Sequence, residues 1–81
     1  MDDRIAFATW LGVQLDRADV TPAELAEATG VTAAAVYLWL RGKPLAGTSV
    51  VRVLHALGIA EGSHQADHAW RAYHQTMRSR A

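Results

Sequence analysis

The chain has 81 residues, of which 51% are hydrophobic and none is cysteine. This length and apolar content fit a single domain, residues 1–81, with one small core. The lack of cysteine excludes a disulfide scaffold, a thiolate metal site and a cysteine nucleophile.

The charges are balanced but unevenly placed. Eight basic and eight acidic side chains give a net charge of zero, yet residues 1–30 hold six acids and two bases, and residues 31–81 hold six bases and two acids. Nucleic-acid-binding domains are usually basic overall, but a polarised surface can still present one positive face to phosphates.

No segment predicts a membrane anchor or a signal peptide. The longest apolar run, Val31 to Leu40, is about half the length that crosses a bilayer, and the N-terminus lacks the basic and then apolar order of a leader. We therefore expect a cytoplasmic protein of a bacterium or of a phage-infected host cell, with no membrane partner.

The first predicted helix covers residues 4–17, with Asp2 or Asp3 as N-cap. Its apolar stripe is Ile5, Ala8, Leu11 and Leu15, broadened by Phe7 and Trp10. Gly12 costs this helix up to about 1 kcal/mol relative to alanine. Either the helix bends there or another backbone packs closely against it.

Thr21 starts a second helix. Its hydroxyl can accept from the first-turn amides, Pro22 needs no hydrogen-bond acceptor there, and Glu24 completes a capping box. Gly30 can take a positive φ and end the helix. The inward-facing residues are predicted to be Leu25, Ala26 and Thr29, with Val31 as a buried hinge.

Thr32 caps a third helix, which Gly42 and Pro44 end. The helical spacing predicts a buried stripe of Val36, Trp39 and Leu40. The outward residues are then Ala33, Ala34, Tyr37, Leu38 and Arg41.

A fourth helix is predicted from a cap at Thr48 or Ser49 to about Leu57, ended by Gly58. Its buried residues are expected to be Val50, Val51, Val53, Leu54 and Leu57. A fifth helix, residues 64–79, carries Ala66, Ala69, Trp70, Tyr73 and Met77 on one side. This side either packs on the first helix or forms a homodimer through Trp70, Tyr73 and Met77.

Leu11 to Ile59 resembles the phage-repressor (Cro/repressor, or XRE) family of helix-turn-helix proteins. The resemblance is most specific in ELAEATGV, residues 24–31, and in VVRVLHALGI, residues 50–59. It implies an all-α fold: a five-helix lambda-repressor-like domain with a helix-turn-helix unit at 21–43 and a C-terminal helix beyond the family core.

The resemblance also implies a transcriptional regulator that binds double-stranded DNA as a dimer, with helix 32–41 in the major groove. The implied DNA-binding residues are Thr21, Thr32, Ala33, Ala34, Tyr37, Leu38, Arg41, Lys43 and Arg52. The first turn and middle of this helix depart from the family, whose members commonly place glutamine, serine, asparagine or arginine there, whereas alanine and leucine can touch only a thymine methyl group.

That departure leaves a second hypothesis, a protein-interaction module whose apolar former recognition face binds a host or phage protein. Three interpretations of Tyr37 and Leu38 stay open: packing under the C-terminal helix, a patch for a protein partner, and direct DNA contact.

The residues predict neither an enzyme nor a cofactor. His64 and His68 have a spacing at which two imidazoles can share a metal, but a solvated polar face is the simpler interpretation. No catalytic motif is present in the sequence, so no catalytic or metal site is predicted.

Overall fold

The computed structural model describes residues 6–79, with the side chain of Ser79 left out. This part of the chain holds five helices: α1 (Ala6–Ala18), α2 (Pro22–Thr29), α3 (Ala33–Leu40), α4 (Gly47–Ala56) and α5 (His64–Ser79). The predicted all-α, five-helix architecture is confirmed. The expected cap at Asp2 or Asp3 and the start of the stripe at Ile5 lie outside the described residues.

The helices enclose one core. Helix α1 packs against α3 and α5, α2 packs against α3 and α4, and α4 also contacts α5. Each of the first four helices supplies at least one fully buried side chain, and the largest apolar ones are Phe7, Leu11, Leu25, Val36, Val50 and Val53. The third and fifth helices thus both pack against α1.

The first four helices end in the same way. After each last turn, one residue takes a positive φ: Asp19 at 56°, Gly30 at 76°, Gly42 at 92° and Gly58 at 70°. The next amide then donates back across the turn, as Ile59 N does to Leu54 O at 2.9 Å. This Schellman closure satisfies terminal carbonyls and turns the chain within a few residues.

Helix α4 begins earlier than expected. Its N-cap is Ala46, which makes no side-chain cap, so the predicted cap at Thr48 or Ser49 is wrong. The preceding Leu45 is buried in the core, which fixes where the chain enters the helix. Val51, predicted to be buried, is 38% exposed, and Leu57 is only half-buried.

Helix α5 has the predicted bounds, but a different residue faces the core near its end. Ala66 and Ala69 are buried as expected, whereas Met77 is 38% exposed and Thr76 lies inside. The helix packs on α1, which confirms the first of its two expected roles. The homodimer remains a prediction.

No neighbour explains Gly12. A Cβ built on it meets nothing within 4 Å, so the expected close approach of another backbone is wrong. Its neighbours Leu11 and Leu15 are buried, as predicted.

Within residues 6–79, the structure has no helix that is both long enough and apolar enough to span a membrane.

Candidate nucleic-acid interface

The α2–turn–α3 unit is built by local hydrogen bonds. Thr21 Oγ1 accepts from Glu24 N at 3.1 Å, and Glu24 Oε1 accepts from Thr21 N at 3.0 Å. At the other end of α2, Gly30 adopts a left-handed conformation, and Val31 N donates to Ala26 O at 3.1 Å. The predicted capping box and glycine turn are confirmed.

Helix α3 is buried on one side and open on the other. Val36 and Trp39 lie in the core, while Tyr37 is 52% exposed and Leu38 46% exposed. The interpretation that Tyr37 and Leu38 pack under α5 is therefore wrong. At about 100° per residue, Ala34, Tyr37, Leu38 and Arg41 share about 100° of arc on the outer face.

Two residues lie at the borders of this face. Ala33, predicted to be on the outer side, is half-buried and packs against the core. Leu40, predicted to be in the buried stripe, is also only half-buried, as is the hinge residue Val31. Ala33 is therefore less accessible than predicted, and Leu40 is more accessible than predicted. We name Ala34, Tyr37, Leu38 and Arg41 the outer face of α3.

The N-terminus of α3 is free of acidic side chains. Thr32 Oγ1 accepts from Ala35 N at 3.2 Å, and the first turn carries no carboxylate. The amides at a helix N-terminus carry a partial positive charge that favours a phosphate. Thr32, which is exposed, lies at this end.

The N-terminus of α2 has the opposite character. The Glu24 carboxylate accepts the Thr21 N–H, and the hydrogen bonds from the Thr21 backbone and hydroxyl lower the pKa of Glu24. A lowered pKa keeps this exposed group ionised. Because the hydroxyl of Thr21 and its amide are already engaged, this end of the unit offers little to a phosphate.

The three basic residues that the resemblance implies to bind DNA are all exposed, but they do not form one group along the chain. Arg41 is the C-cap of α3, and Lys43 follows two residues later, its N–H donating to Leu38 O at 3.0 Å. Arg52 lies on α4, which packs against α2 and α5. Arg41 therefore belongs to the outer face of α3 and Lys43 follows it closely in the chain, whereas Arg52 is on a separate helix.

Sequence reasoning missed one element near the site. Leu45, in the loop after α3, is buried and anchors the segment that carries Lys43 and Pro44. An isolated leucine between proline and glycine residues was the available signal, since a large apolar residue in a polar turn usually returns to the core.

The spacing of His64 and His68 would let two imidazoles share a metal ion. In the part of the chain that the structure describes, no three histidine or acidic side chains lie close enough to hold a metal ion. His64 and His68 are exposed on α5.

Comparisons of the chain with models of protein families, with curated proteins and with solved structures gave no significant match.

Proposed function

We propose that the protein is a DNA-binding transcriptional regulator of the phage-repressor (Cro) type, with the recognition helix, residues 32–41, in the major groove. The observation that supports this most is the outer face of α3. Its two large apolar side chains, Tyr37 and Leu38, are each about half exposed, although the opposite side of the same helix is buried. A rigid helix with one free face is the element that reads a major groove in helix-turn-helix proteins.

The chemistry of this face defines the kind of readout. Ala34 and Leu38 can contact thymine methyl groups, and the Tyr37 hydroxyl can hydrogen-bond to a base edge or a phosphate. Arg41 and Lys43 would contact phosphates and set the register, together with Thr32 at the N-terminus of α3. Sequence preference would come mainly from DNA shape and from methyl groups.

The phosphate contacts of this interface are few. The N-terminus of α2 is occupied by the Glu24 carboxylate, so Thr21 contributes little, and Arg52 is on another helix. The affinity for DNA should fall less steeply with salt than for a repressor with a basic loop.

Two copies would bind together, with one recognition helix in each of two successive major grooves. We place the contact between the copies on α5, where Met77 is exposed and Trp70 and Tyr73 are half-buried. Sedimentation equilibrium of the wild-type protein and of Met77→Glu tests this contact. The variant dimer should be weaker, so it should dissociate into monomers at a higher protein concentration than the wild-type dimer.

The direct experiment is fluorescence anisotropy of a labelled duplex pool of random sequence at about 50 mM and then about 200 mM salt. We expect binding at the lower salt that weakens at the higher salt, because counterions are released from the duplex. No binding at the lower salt by folded protein would contradict the proposal.

A protein-interaction module is the second candidate. The same observation favours it: two adjacent large apolar side chains are exposed on a face with a single charged group, Arg41. Docking sites for other proteins are marked by contiguous exposed apolar surface, to which Tyr37 and Leu38 would both contribute.

Paired variants separate the two candidates. Tyr37→Ala with Leu38→Ala should reduce DNA affinity if this face lies in the groove, and Val13→Ala, an exposed apolar residue on α1, is the matched control. Unchanged DNA affinity in the double variant would remove α3 from the DNA interface and favour the protein-interaction role.

A second pair tests the phosphate contacts. Arg41→Ala with Lys43→Ala should weaken binding to all sequences about equally and reduce the salt slope by about one for each phosphate that is no longer neutralised. Arg71→Ala, which removes an exposed arginine of α5, should leave the slope unchanged.

A further inference from the structure

A cleft lies between α4 and α5, apart from the helix-turn-helix unit. Its volume is about 250 Å³, and its walls come from α4, the loop after it and the first part of α5. Its apolar lining residues include Val51, Leu54 and Trp70, and His55 also lines it. We name it the α4–α5 cleft.

The indole is held by its aromatic neighbours. The ring of Trp70 meets that of Tyr73 edge-on, with centroids 5.7 Å apart and planes at 88°, and the His74 ring lies 6.1 Å away. Trp70 is half-buried, and its ring contacts Tyr73 and His74 on the same helix.

The charges of the cleft are unusual for this half of the chain. Residues 31–81 contain six basic side chains and only two acidic ones, Glu61 and Asp67, and both acidic residues line this cleft. Asp67 in the first turn of α5 also suits the helix dipole. Glu61 lies outside any helix and has no such role.

These features select a cationic group with a flat apolar surface. A guanidinium can lie against an indole and donate hydrogen bonds to carboxylates at the same time, because it is planar and carries five N–H donors. A lysine ammonium matches the carboxylates but not the flat ring.

The size of the cleft restricts the kind of molecule that can carry the cationic group. Sites that enclose a whole small molecule usually measure about 300–1,000 Å³. The α4–α5 cleft is smaller than that and open to solvent, which suits one side chain presented by a larger molecule.

We propose that the α4–α5 cleft binds an arginine side chain of a partner polypeptide. No residue of the cleft belongs to the α2–turn–α3 unit, so an arginine bound there would not touch the outer face of α3, although Trp70 is shared with the proposed contact between copies on α5. The protein would thus contact DNA through α3 and a basic protein partner through α4 and α5.

The test is an NMR titration of the whole chain with the capped tripeptide Ala-Arg-Ala, following the Trp70 indole N–H and the Val51 methyl groups. The control peptide contains citrulline in place of arginine, which has nearly the same shape but no charge. We expect saturable shifts with the arginine peptide and at least about fivefold weaker binding of the citrulline peptide.

The variant Glu61→Gln with Asp67→Asn should weaken binding of the arginine peptide by about fivefold or more. The matched control, Asp16→Asn with Glu27→Gln, removes two exposed acids away from the cleft and should not change it. Thermal melts check that each variant is folded, and all these variants alter exposed side chains.

Several results would overturn the proposal. They are equal binding of the citrulline or of a lysine peptide, absence of saturable shifts with the arginine peptide, and unchanged affinity in the Glu61→Gln, Asp67→Asn variant. None of these results depends on whether the protein binds DNA.

Discussion

The hydroxyl of Thr76 lies 3.1 Å from the backbone nitrogen of Phe7 and accepts its hydrogen bond, while donating to the carbonyl oxygen of Ala72 at 3.0 Å. Phe7 lies on α1, and its amide is buried where it meets α5. One hydroxyl on α5 therefore supplies an acceptor to a backbone amide of α1, 69 positions earlier in the chain.

Replacing Thr76 with valine should destabilise the protein by about 1–3 kcal/mol, because the buried Phe7 N–H would lose its acceptor while the side-chain volume stays the same. Urea denaturation of the wild-type protein and of the variant measures this difference. Thr76→Ser keeps the hydroxyl and loses one methyl group, so it should cost only about 1 kcal/mol. Greater stability of the valine variant than of the serine variant would contradict the role of this hydrogen bond.

The same threonine shows where sequence reasoning failed in the fold. A helical period predicts which positions face inward but favours apolar residues, so it points to Met77 rather than to the adjacent Thr76. The partner of Thr76 is on the first helix, and no local pattern reveals it. The prediction of the α4 cap failed for a related reason. Burial of Leu45 places the N-cap of the helix at Ala46, ahead of Thr48 and Ser49, whose side chains resemble caps.

Helix caps and turns that depend on residues close together in the sequence could be predicted from it. Thr21 bonds with Glu24, Thr32 bonds with Ala35, and Gly30 takes a positive φ, as their local sequences indicate. For the candidate site, the helical period identified the outward Tyr37 and Leu38. The local sequence also predicts the capping box, which engages the amide and the hydroxyl of Thr21, a residue that the resemblance implies to bind DNA.

Asp19 is the one non-glycine residue with a positive φ among those described. It occupies the position that glycine holds at the ends of α2, α3 and α4. Asp19→Gly should stabilise the protein by about 0.5–1 kcal/mol, because a side chain is disfavoured in this conformation. Asp19→Ala removes the charge without relieving the strain and should not stabilise. If alanine stabilised as much as glycine in thermal or urea denaturation, the effect would be due to charge.

Gly12 and Gly30 should respond to alanine in opposite directions. Gly12 is helical with open space around its Cβ position, so Gly12→Ala should stabilise by up to about 1 kcal/mol. Gly30→Ala should destabilise by about 1–2 kcal/mol, since Gly30 has φ +76°. The pair is compared by urea denaturation, and destabilisation by Gly12→Ala would mean that α1 needs a residue without a Cβ at this position.

Glu24 should make stability depend on pH. Because its pKa is lower in the folded protein, its contribution is fully present above the ordinary glutamate range and is lost as the pH falls from about 5 through the folded-state value. Glutamine can keep the capping hydrogen bond without the charge. The difference in free energy of unfolding between wild type and Glu24→Gln should therefore shrink between about pH 6 and pH 3. A constant difference over this range would contradict the assignment.

The same variant tests how α2 faces DNA. If the N-terminus of α2 lies beside the phosphates, the ionised Glu24 repels them, and Glu24→Gln should tighten binding about two- to fivefold at low salt, less at high salt. Glu27→Gln removes an equal charge one turn further along the same helix, outside the capping box, and should have a smaller effect. Equal gains from both variants would indicate a general charge effect. No gain from Glu24→Gln, in a protein that binds DNA, would place the N-terminus of α2 away from the duplex and leave α3 with Arg41 and Lys43 as the contact.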